Sequence, residues 1–154
     1  MNTLGETYYA NLDQTQAKGL ELELEHKSTS GLLARVSYAC QRAEDSITGQ
    51  ELSNSPRHLA KLGLIVPLYE DKLFTGLEVL CSSPVRTLAG AQADGYAIAN
   101  LTLFSQKIVK GLECSASLYN LFDSKYAFPA SADFREDTIT QDGRSFRLKL
   151  TYRF

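Results

Sequence analysis

The chain has 154 residues, of which 22% are charged and 44% are hydrophobic, and its formal net charge at pH 7 is -2. This length is sufficient for one ordinary domain, and this composition excludes a disordered or collagen-like chain. This net charge gives no electrostatic case for binding nucleic acid, which usually needs a clustered basic face, so nucleic acid is not predicted as a partner.

No stretch of the sequence approaches the roughly 20 consecutive apolar residues that a membrane-spanning helix needs. The N-terminal sequence MNTLGETYYANLDQTQAKG has no basic start followed by an apolar core, so no signal peptide is predicted. If the protein is exported, we therefore expect this sequence to be part of a longer gene product.

The residue types that usually carry chemistry are few and scattered. Cys40, Cys81 and Cys114 form no C-x-x-C pair, and His26 and His58 are not spaced as metal ligands. The sequence also has no glycine-rich phosphate loop and no nucleophile elbow. It therefore predicts no catalytic residue, no metal and no cofactor, and the protein is not expected to be an enzyme.

The strongest signal is alternation of apolar and polar residues with a period of two, which indicates β-strands with one apolar face. Residues 19–27 read GLELELEHK, with leucines on one face and glutamates on the other. Three middle strands alternate less cleanly, since large apolar residues fall on the otherwise polar face, namely Leu59, Ile65, Phe74, Ile98 and Phe104. In chain order, the predicted strands are 19–27, 32–42, 57–68, 72–82, 96–107, 112–119 and 143–154, with a short strand at 7–11 as a further candidate.

The lengths of these strands and of their connections predict the architecture. At about 3.3 Å per residue and a tilt near 40°, ten residues span roughly 25 Å, which matches the apolar band of an outer-membrane barrel. Short connections (27–31, 68–72, 107–111) alternate with long ones (44–56, 83–95, 122–143), as when one rim of a barrel has turns and the other has loops. We predict an all-β fold: an antiparallel up-and-down transmembrane β-barrel segment of about seven or eight strands, open or partial.

The C-terminal segment QDGRSFRLKLTYRF resembles the closing strand of outer-membrane proteins, which ends on an aromatic residue preceded by apolar residues at every second position. Phe146, Leu148, Leu150, Tyr152 and Phe154 match this pattern position by position. The barrel-assembly machinery recognises this strand by strand pairing, so the resemblance implies that these five residues form a barrel-assembly signal.

Upstream segments narrow the resemblance to one family. YNLFDSKY at 119–126, with Pro129 shortly after it, resembles the penultimate strand and the start of the following loop in TonB-dependent receptors. NLDQTQAKGLELEL at 11–24 is similar to another pattern of that family, and SPRH at 55–58 is a weaker match of the same kind. Together these segments cover most of the chain, in the family's order.

The resemblance implies a location in a Gram-negative-type outer membrane, with outer-membrane lipid and the barrel-assembly machinery as partners. Complete members are barrels of about 22 strands plugged by a separate N-terminal domain. They import scarce nutrients, such as siderophore or corrinoid complexes, with energy from an inner-membrane motor that acts through TonB. Residues 1–154 would be the C-terminal part of such a receptor, without plug and N-terminal strands, and not transport-competent alone. In an intact receptor, the TonB motor complex and a small nutrient ligand would be partners.

The longest connection, 122–143, combines aromatic and charged residues, a composition suited to recognition. Its candidate ligand-contact residues are Tyr126, Phe128, Phe134 and Arg135. An extracellular loop with no role in ligand binding is the alternative.

Two other architectures fit parts of the pattern. A small self-standing outer-membrane barrel with a structural or adhesive role would need an even number of strands, at least eight, and an export signal. A soluble β-sandwich would need the apolar faces to pack on one another. An isolated barrel segment would instead have two unpaired edges and an apolar outer face, so we expect the purified chain to be insoluble without detergent.

Overall fold

The computed structural model describes residues 14–154, so the candidate strand at 7–11 lies outside the described residues. The described part is built of strands, most of which form one antiparallel sheet. In chain order, the strands are β1 (Thr15–Lys27), β2 (Leu33–Asp45), β3 (His58–Tyr69), β4 (Leu73–Ser82), β5 (Val85–Arg86), β6 (Gln92–Ala93), β7 (Tyr96–Val109), β8 (Leu112–Tyr119), β9 (Ala127–Pro129), β10 (Thr138–Thr140) and β11 (Ser145–Tyr152).

The sheet has seven strands in the order β1-β2-β3-β4-β7-β8-β11, so each long strand pairs with the next long strand along the chain. The predicted up-and-down antiparallel fold is therefore confirmed. β1 and β2 are longer than predicted because their hairpin stays paired from Lys27 and Leu33 as far as Thr15 and Asp45. The hairpins β5–β6 and β9–β10 lie in two of the long connections and were not predicted, since strands of two or three residues show no detectable alternation.

Three tight turns lie at one rim of the sheet, and the three long connections lie at the other. Each tight turn contains one residue with a left-handed backbone, namely Gly31 (φ 89°), Glu70 (φ 46°) and Gly111 (φ 77°). A β-carbon at Gly111 would clash with the backbone carbonyl oxygen of Arg153, so this turn requires glycine for space as well as for conformation.

The strand register gives the sheet one apolar face. Its charged residues lie near strand ends, as Lys18 and Arg42 do, and the central positions of each strand are apolar or small. The large apolar residues of this face are Leu20, Leu22, Leu24, Val36, Leu62, Leu64, Leu77, Val79, Leu101, Leu103, Leu118, Phe146, Leu148 and Leu150.

This apolar face is not covered by any other part of the described chain. Leu22 and Leu148 are 56% and 67% exposed, and the only buried hydrophobic residues between positions 14 and 154 are Ala93, Ala99 and Ala130. The apolar side chains therefore do not pack on one another in a closed core, which excludes the β-sandwich alternative for the described residues.

The strands are staggered as they are in a barrel. One row of paired residues crosses the whole sheet, from His26 in β1 to Phe146 in β11, through Ala34, Leu64, Leu77, Leu101 and Leu118. His26 lies one residue before the end of β1, whereas Phe146 lies six residues before the end of β11, and both ends are at the tight-turn rim. A stagger of five residues over six strand-to-strand steps, at about 3.3 Å per residue and about 4.8 Å between strands, corresponds to a tilt of about 30°. That value is close to the roughly 35–45° typical of outer-membrane barrels.

Candidate functional site

The face opposite the apolar one is concave and largely polar. It forms an open groove of about 810 Å³ that extends from β2 to β11. Small polar side chains line its centre, and Thr102 donates a hydrogen bond of 2.9 Å to Ser117, which is buried. The polar residues of the groove are Ser37, Glu78, Asn100, Thr102, Ser115, Ser117 and Tyr119, with Arg35, Lys61, Arg147 and Lys149.

Charged side chains lie toward both edges of this concave face. Near the β1 edge, Arg35 contacts Glu25 and lies 3.5 Å from Glu23. Near the β11 edge, the guanidinium of Arg147 lies over the ring of Tyr119, 5.4 Å from its centroid. These groups are largely exposed, so their pairing contributes little to stability. The charged residues that line the groove are mostly basic, namely Arg35, Lys61, Arg147 and Lys149, with Glu78 as the one acid of the lining among the described residues.

The residues that broke the sequence alternation face the groove. Ile65 lies near the tight-turn rim, where Phe74 and Phe104 stack with their ring centroids 5.1 Å apart. Leu59 and Ile98 lie on the same face nearer the long connections, by the register of β3, β4 and β7. They therefore do not interrupt the apolar face, which stays continuous because these large side chains point the other way.

Two long connections are joined at their rim by a buried hydrogen bond. The hydroxyl of Thr87, which is 1% exposed, donates to Oδ2 of Asp137 at 2.6 Å. The backbone N–H of Ala89 approaches the other oxygen of this carboxylate at 3.4 Å. Because Thr87 and Asp137 belong to different connections, this contact fixes the β5–β6 hairpin relative to the β9–β10 hairpin.

An aromatic cluster lies at the same rim. The ring of Tyr96 is 4.8 Å from that of Tyr126 and 5.8 Å from that of Phe128, and the last two rings are 5.6 Å apart. Such tilted and edge-on contacts stabilise the packing of aromatic pairs beyond the area they bury. Sequence reasoning placed Tyr96 at the start of a strand and missed its part in this cluster, because only the fold brings it next to a residue 30 positions later.

The four candidate ligand-contact residues lie in two different environments. Tyr126 is half-buried and packs, with Phe128, in the aromatic cluster. Phe134 and Arg135 lie between β9 and β10, where both are exposed, Phe134 to 55%. Tyr126 and Phe128 thus help to build the rim, where Phe128 remains 40% exposed, and Phe134 and Arg135 are exposed outside the cluster.

The five residues of the predicted assembly signal lie on one strand and its end. Phe146, Leu148, Leu150 and Tyr152 all project from the apolar face of β11. Phe154 follows β11 at the tight-turn rim, with its ring 6.3 Å from that of Tyr152. β8 occupies one edge of β11, and the other edge has no partner among residues 14–154.

The YNLFDSKY segment closes the last hairpin. Asn120 is buried and has a left-handed backbone (φ 48°). Its side-chain amide donates to the carbonyl oxygens of Ser124 (2.9 Å) and Asp142 (3.3 Å), and its Oδ1 accepts from the N–H of Ser124 (2.9 Å). Its own N–H donates to Oδ1 of Asn100 at 3.0 Å. This one side chain therefore joins the end of β8 to the segment that leads into β11.

Asp123 provides a second link in the same segment. Its Oδ1 accepts a 2.8 Å hydrogen bond from the N–H of Arg144, and its Oδ2 lies 3.3 Å from Nζ of Lys125. The hydrogen bond from Arg144, followed by that from Lys125, lowers the pKa of Asp123 below its usual value. A β-carbon at Gly143 would lie 2.6 Å from Oδ1 of Asp123, so a larger residue there would displace this carboxylate from the N–H of Arg144.

Residues 14–154 contain no helix with the length and hydropathy needed to cross a membrane. They also contain no cluster of three or more histidine, cysteine, aspartate or glutamate side chains that could hold a metal ion.

Comparison with known proteins gives the family. A family model described as TonB dependent receptor-like, β-barrel, matches residues 1–121, more than half of the chain. No curated protein gave a significant match.

Solved structures of receptors match the fold over nearly the whole chain. The ferric-catecholate import receptor Fiu from E. coli K12 superposes with a TM-score of 0.78 and 18% identity, over 97% of this chain and 22% of that one. The siderophore receptor PiuA from Acinetobacter baumannii gives 0.75 and 20%, over 94% and 22%. The copper transporter OprC gives 0.75 and 20%, over 92% and 24%.

The chain spans less than a quarter of the length of each of these three receptors. On the match of residues 1–121, the chain belongs to the TonB-dependent receptor-like β-barrel family of the Gram-negative outer membrane.

Proposed function

We propose that residues 1–154 form the C-terminal strands of a larger outer-membrane receptor that imports a scarce nutrient, such as a siderophore or corrinoid complex, with energy transmitted through TonB. The observation that carries this proposal is the open seven-stranded sheet, apolar on its convex face and polar on its concave face. Such a sheet is one sector of a wide barrel, and this chain alone would not transport.

The amphipathic sheet supports a transport role because its two faces suit two different environments. The apolar face suits lipid, and the concave groove suits a water-filled or protein-filled lumen. At the long-connection rim, Phe134 and Arg135 are exposed, and a ligand arriving from outside would meet these side chains first.

Uptake tests this role directly. In the receptor that contains this chain, we expect the double substitution Phe134→Ala and Arg135→Ala to lower the affinity for the imported nutrient, measured with radiolabelled ferric chelates or cobalamin in iron- or corrinoid-starved cells. Ile47→Ala is the matched control, because Ile47 is an exposed apolar residue in a different long connection. If Ile47→Ala lowered the affinity as much as the double substitution, the proposed role of the 122–143 connection in ligand binding would be wrong. If the receptor showed no TonB-dependent uptake, the proposed receptor function would be wrong.

The C-terminal strand is proposed to be the signal read by the barrel-assembly machinery. β11 supports this because it presents an alternating apolar row and an edge with no partner among residues 14–154, the geometry that recognition by strand addition needs. We expect Phe154→Ala with Tyr152→Ala to reduce the amount of heat-modifiable receptor in the outer membrane. Lys149→Ala, on the concave face of the same strand, should leave that amount unchanged. A normal yield of the aromatic double variant would refute the assignment.

A further inference from the structure

A second cavity, of about 480 Å³, lies between the connections 44–56 and 83–95 at the long-connection rim. It is separate from the aromatic cluster and from the exposed residues of the 122–143 connection. Its polar lining consists of Glu51, Ser55, Arg57, His58, Ser83, Arg86 and Gln92. Its volume falls within the range of roughly 300–1,000 Å³ that small-molecule sites occupy.

The charge balance of this cavity is positive. Arg57 is neutralised by Glu51, whose Oε1 lies 2.5 Å from two of its guanidinium nitrogens. Arg86 has no carboxylate partner among residues 14–154. One arginine therefore neutralises the one acid of the lining, and the second is uncompensated.

The backbone and the side chain of Arg86 have different roles. Its carbonyl oxygen accepts a 2.9 Å hydrogen bond from the N–H of Asn54, which already connects the two loops. Its half-buried guanidinium makes a single 3.3 Å hydrogen bond, from Nη1 to the carbonyl oxygen of Glu51. Arginine has five N–H donors in a planar fork, so most of this group's donors have no protein acceptor in the described structure. Such a group, partly removed from water, is stabilised by an anion that accepts from the fork.

We propose that this cavity binds an oxyanion, a carboxylate or phosphate group, held in a bidentate manner by Arg86. Gln92, which pairs with Arg86 across the β5–β6 hairpin, and the hydroxyl of Ser55 line the same cavity and offer further donors. The uncompensated positive charge of Arg86 favours an anion over a neutral or cationic ligand, since Glu51 neutralises Arg57. The site goes beyond the proposed nutrient import, since the oxyanion belongs either to a soluble ligand or to a phosphate headgroup of the outer leaflet.

Inorganic phosphate and citrate are the probes, titrated at low salt by calorimetry into the purified, detergent-solubilised receptor that contains this chain. We expect millimolar binding that weakens about tenfold or more in Arg86→Gln, since charge-assisted bidentate pairs are among the strongest hydrogen bonds. Arg86→Lys should recover only part of the affinity, because it keeps the charge and loses the fork. Arg144→Gln, which removes an exposed arginine of another long connection, should bind like the unsubstituted receptor.

A parallel titration with lipid A, which carries the phosphate groups of the outer leaflet, in mixed micelles separates the two sources. Binding of both soluble anions assigns the site to a soluble ligand, and binding of the lipid phosphate alone assigns it to the membrane surface. No saturable binding of any probe, or affinity unchanged in Arg86→Gln, would overturn the proposal. The titration needs neither TonB nor uptake, so the two proposals are tested independently. Absence of anion binding would not contradict nutrient import, and absence of import would not contradict anion binding.

Discussion

An arginine placed on the apolar face should destabilise the receptor far more than the same arginine placed next to it on the concave face. Leu77 and Glu78 are neighbours near the middle of the ten-residue strand β4. Leu77 is in register with Leu64 and Leu101 on the apolar face, and Glu78 lines the groove. Leu77→Arg and Glu78→Arg therefore place the same side chain at nearly the same depth in the membrane, the first on the lipid-facing side and the second on the groove side.

The expected cost follows from the depth of Leu77. About four residues lie on either side of it in β4, which at about 3.3 Å per residue and a tilt of about 30° places it roughly 12 Å from each end of the strand. That is the midplane of an apolar band about 25 Å tall, where an arginine facing lipid costs about 2–4 kcal/mol. This corresponds to a change of roughly 30- to 700-fold in the folding equilibrium. At the rim, Leu73→Arg should cost only about 0–1 kcal/mol.

The free energy of unfolding of these three variants is measured by urea titration in phosphatidylcholine vesicles, with far-ultraviolet circular dichroism as the signal. The predicted order of destabilisation is Leu77→Arg, then Leu73→Arg, with Glu78→Arg close to the unsubstituted receptor. If Glu78→Arg were as destabilising as Leu77→Arg, or if neither had an effect, the assignment of the apolar face to lipid would be wrong.

Three further predictions concern the chain and its last hairpin. The purified chain should aggregate without detergent, since its apolar face and β1 and β11 edges are uncovered in the described structure, and a monodisperse detergent-free monomer by light scattering would contradict this. Asn120→Ala should lower the free energy of unfolding by about 1–3 kcal/mol in the same urea assay, because its side-chain hydrogen bonds are lost. Asn120→Gly loses the same hydrogen bonds but should be roughly 1 kcal/mol more stable than Asn120→Ala, because glycine tolerates the left-handed backbone. The pKa of Asp123 in the folded state is depressed, so its carboxylate stabilises the loop above pH 3.8, and this contribution should be lost as the pH falls through the lower folded-state pKa. Faster hydrogen exchange of the Arg144 N–H at low pH should report the loss, and Asp123→Asn should abolish this pH dependence.

The sequence predicted the fold class because the relevant physics is local to each strand. A strand between lipid and a polar lumen must alternate apolar and polar side chains, and this alternation is visible in the sequence from Leu20 to Leu24 and from Phe146 to Tyr152. The alternation of short and long connections predicted that tight turns lie at one rim and loops at the other, as the sheet topology confirms. Membership of the family confirms the further prediction that the chain is not an enzyme.

The candidate site was less predictable. The composition of the 122–143 connection indicated a recognition loop, but it could not separate Tyr126, which packs at the rim, from Phe134, which is exposed. The Thr87–Asp137 hydrogen bond joins residues 50 positions apart, and neither residue type is unusual in a loop. The YNLFDSKY segment indicated the family, but only the structure shows that the side chain of Asn120 in this segment closes the last hairpin through its hydrogen bonds to Ser124 and Asp142.

By itself, the sequence determined that strands form, where they turn and which of their faces is apolar, because alternation and turn glycines act over a few residues. Only the tertiary structure decided the stagger of the strands, the contact between Thr87 and Asp137 in different connections, and the cavity around Arg86. These depend on pairing between distant segments, and a shift of one residue in register would exchange the two faces of a strand without changing its sequence pattern.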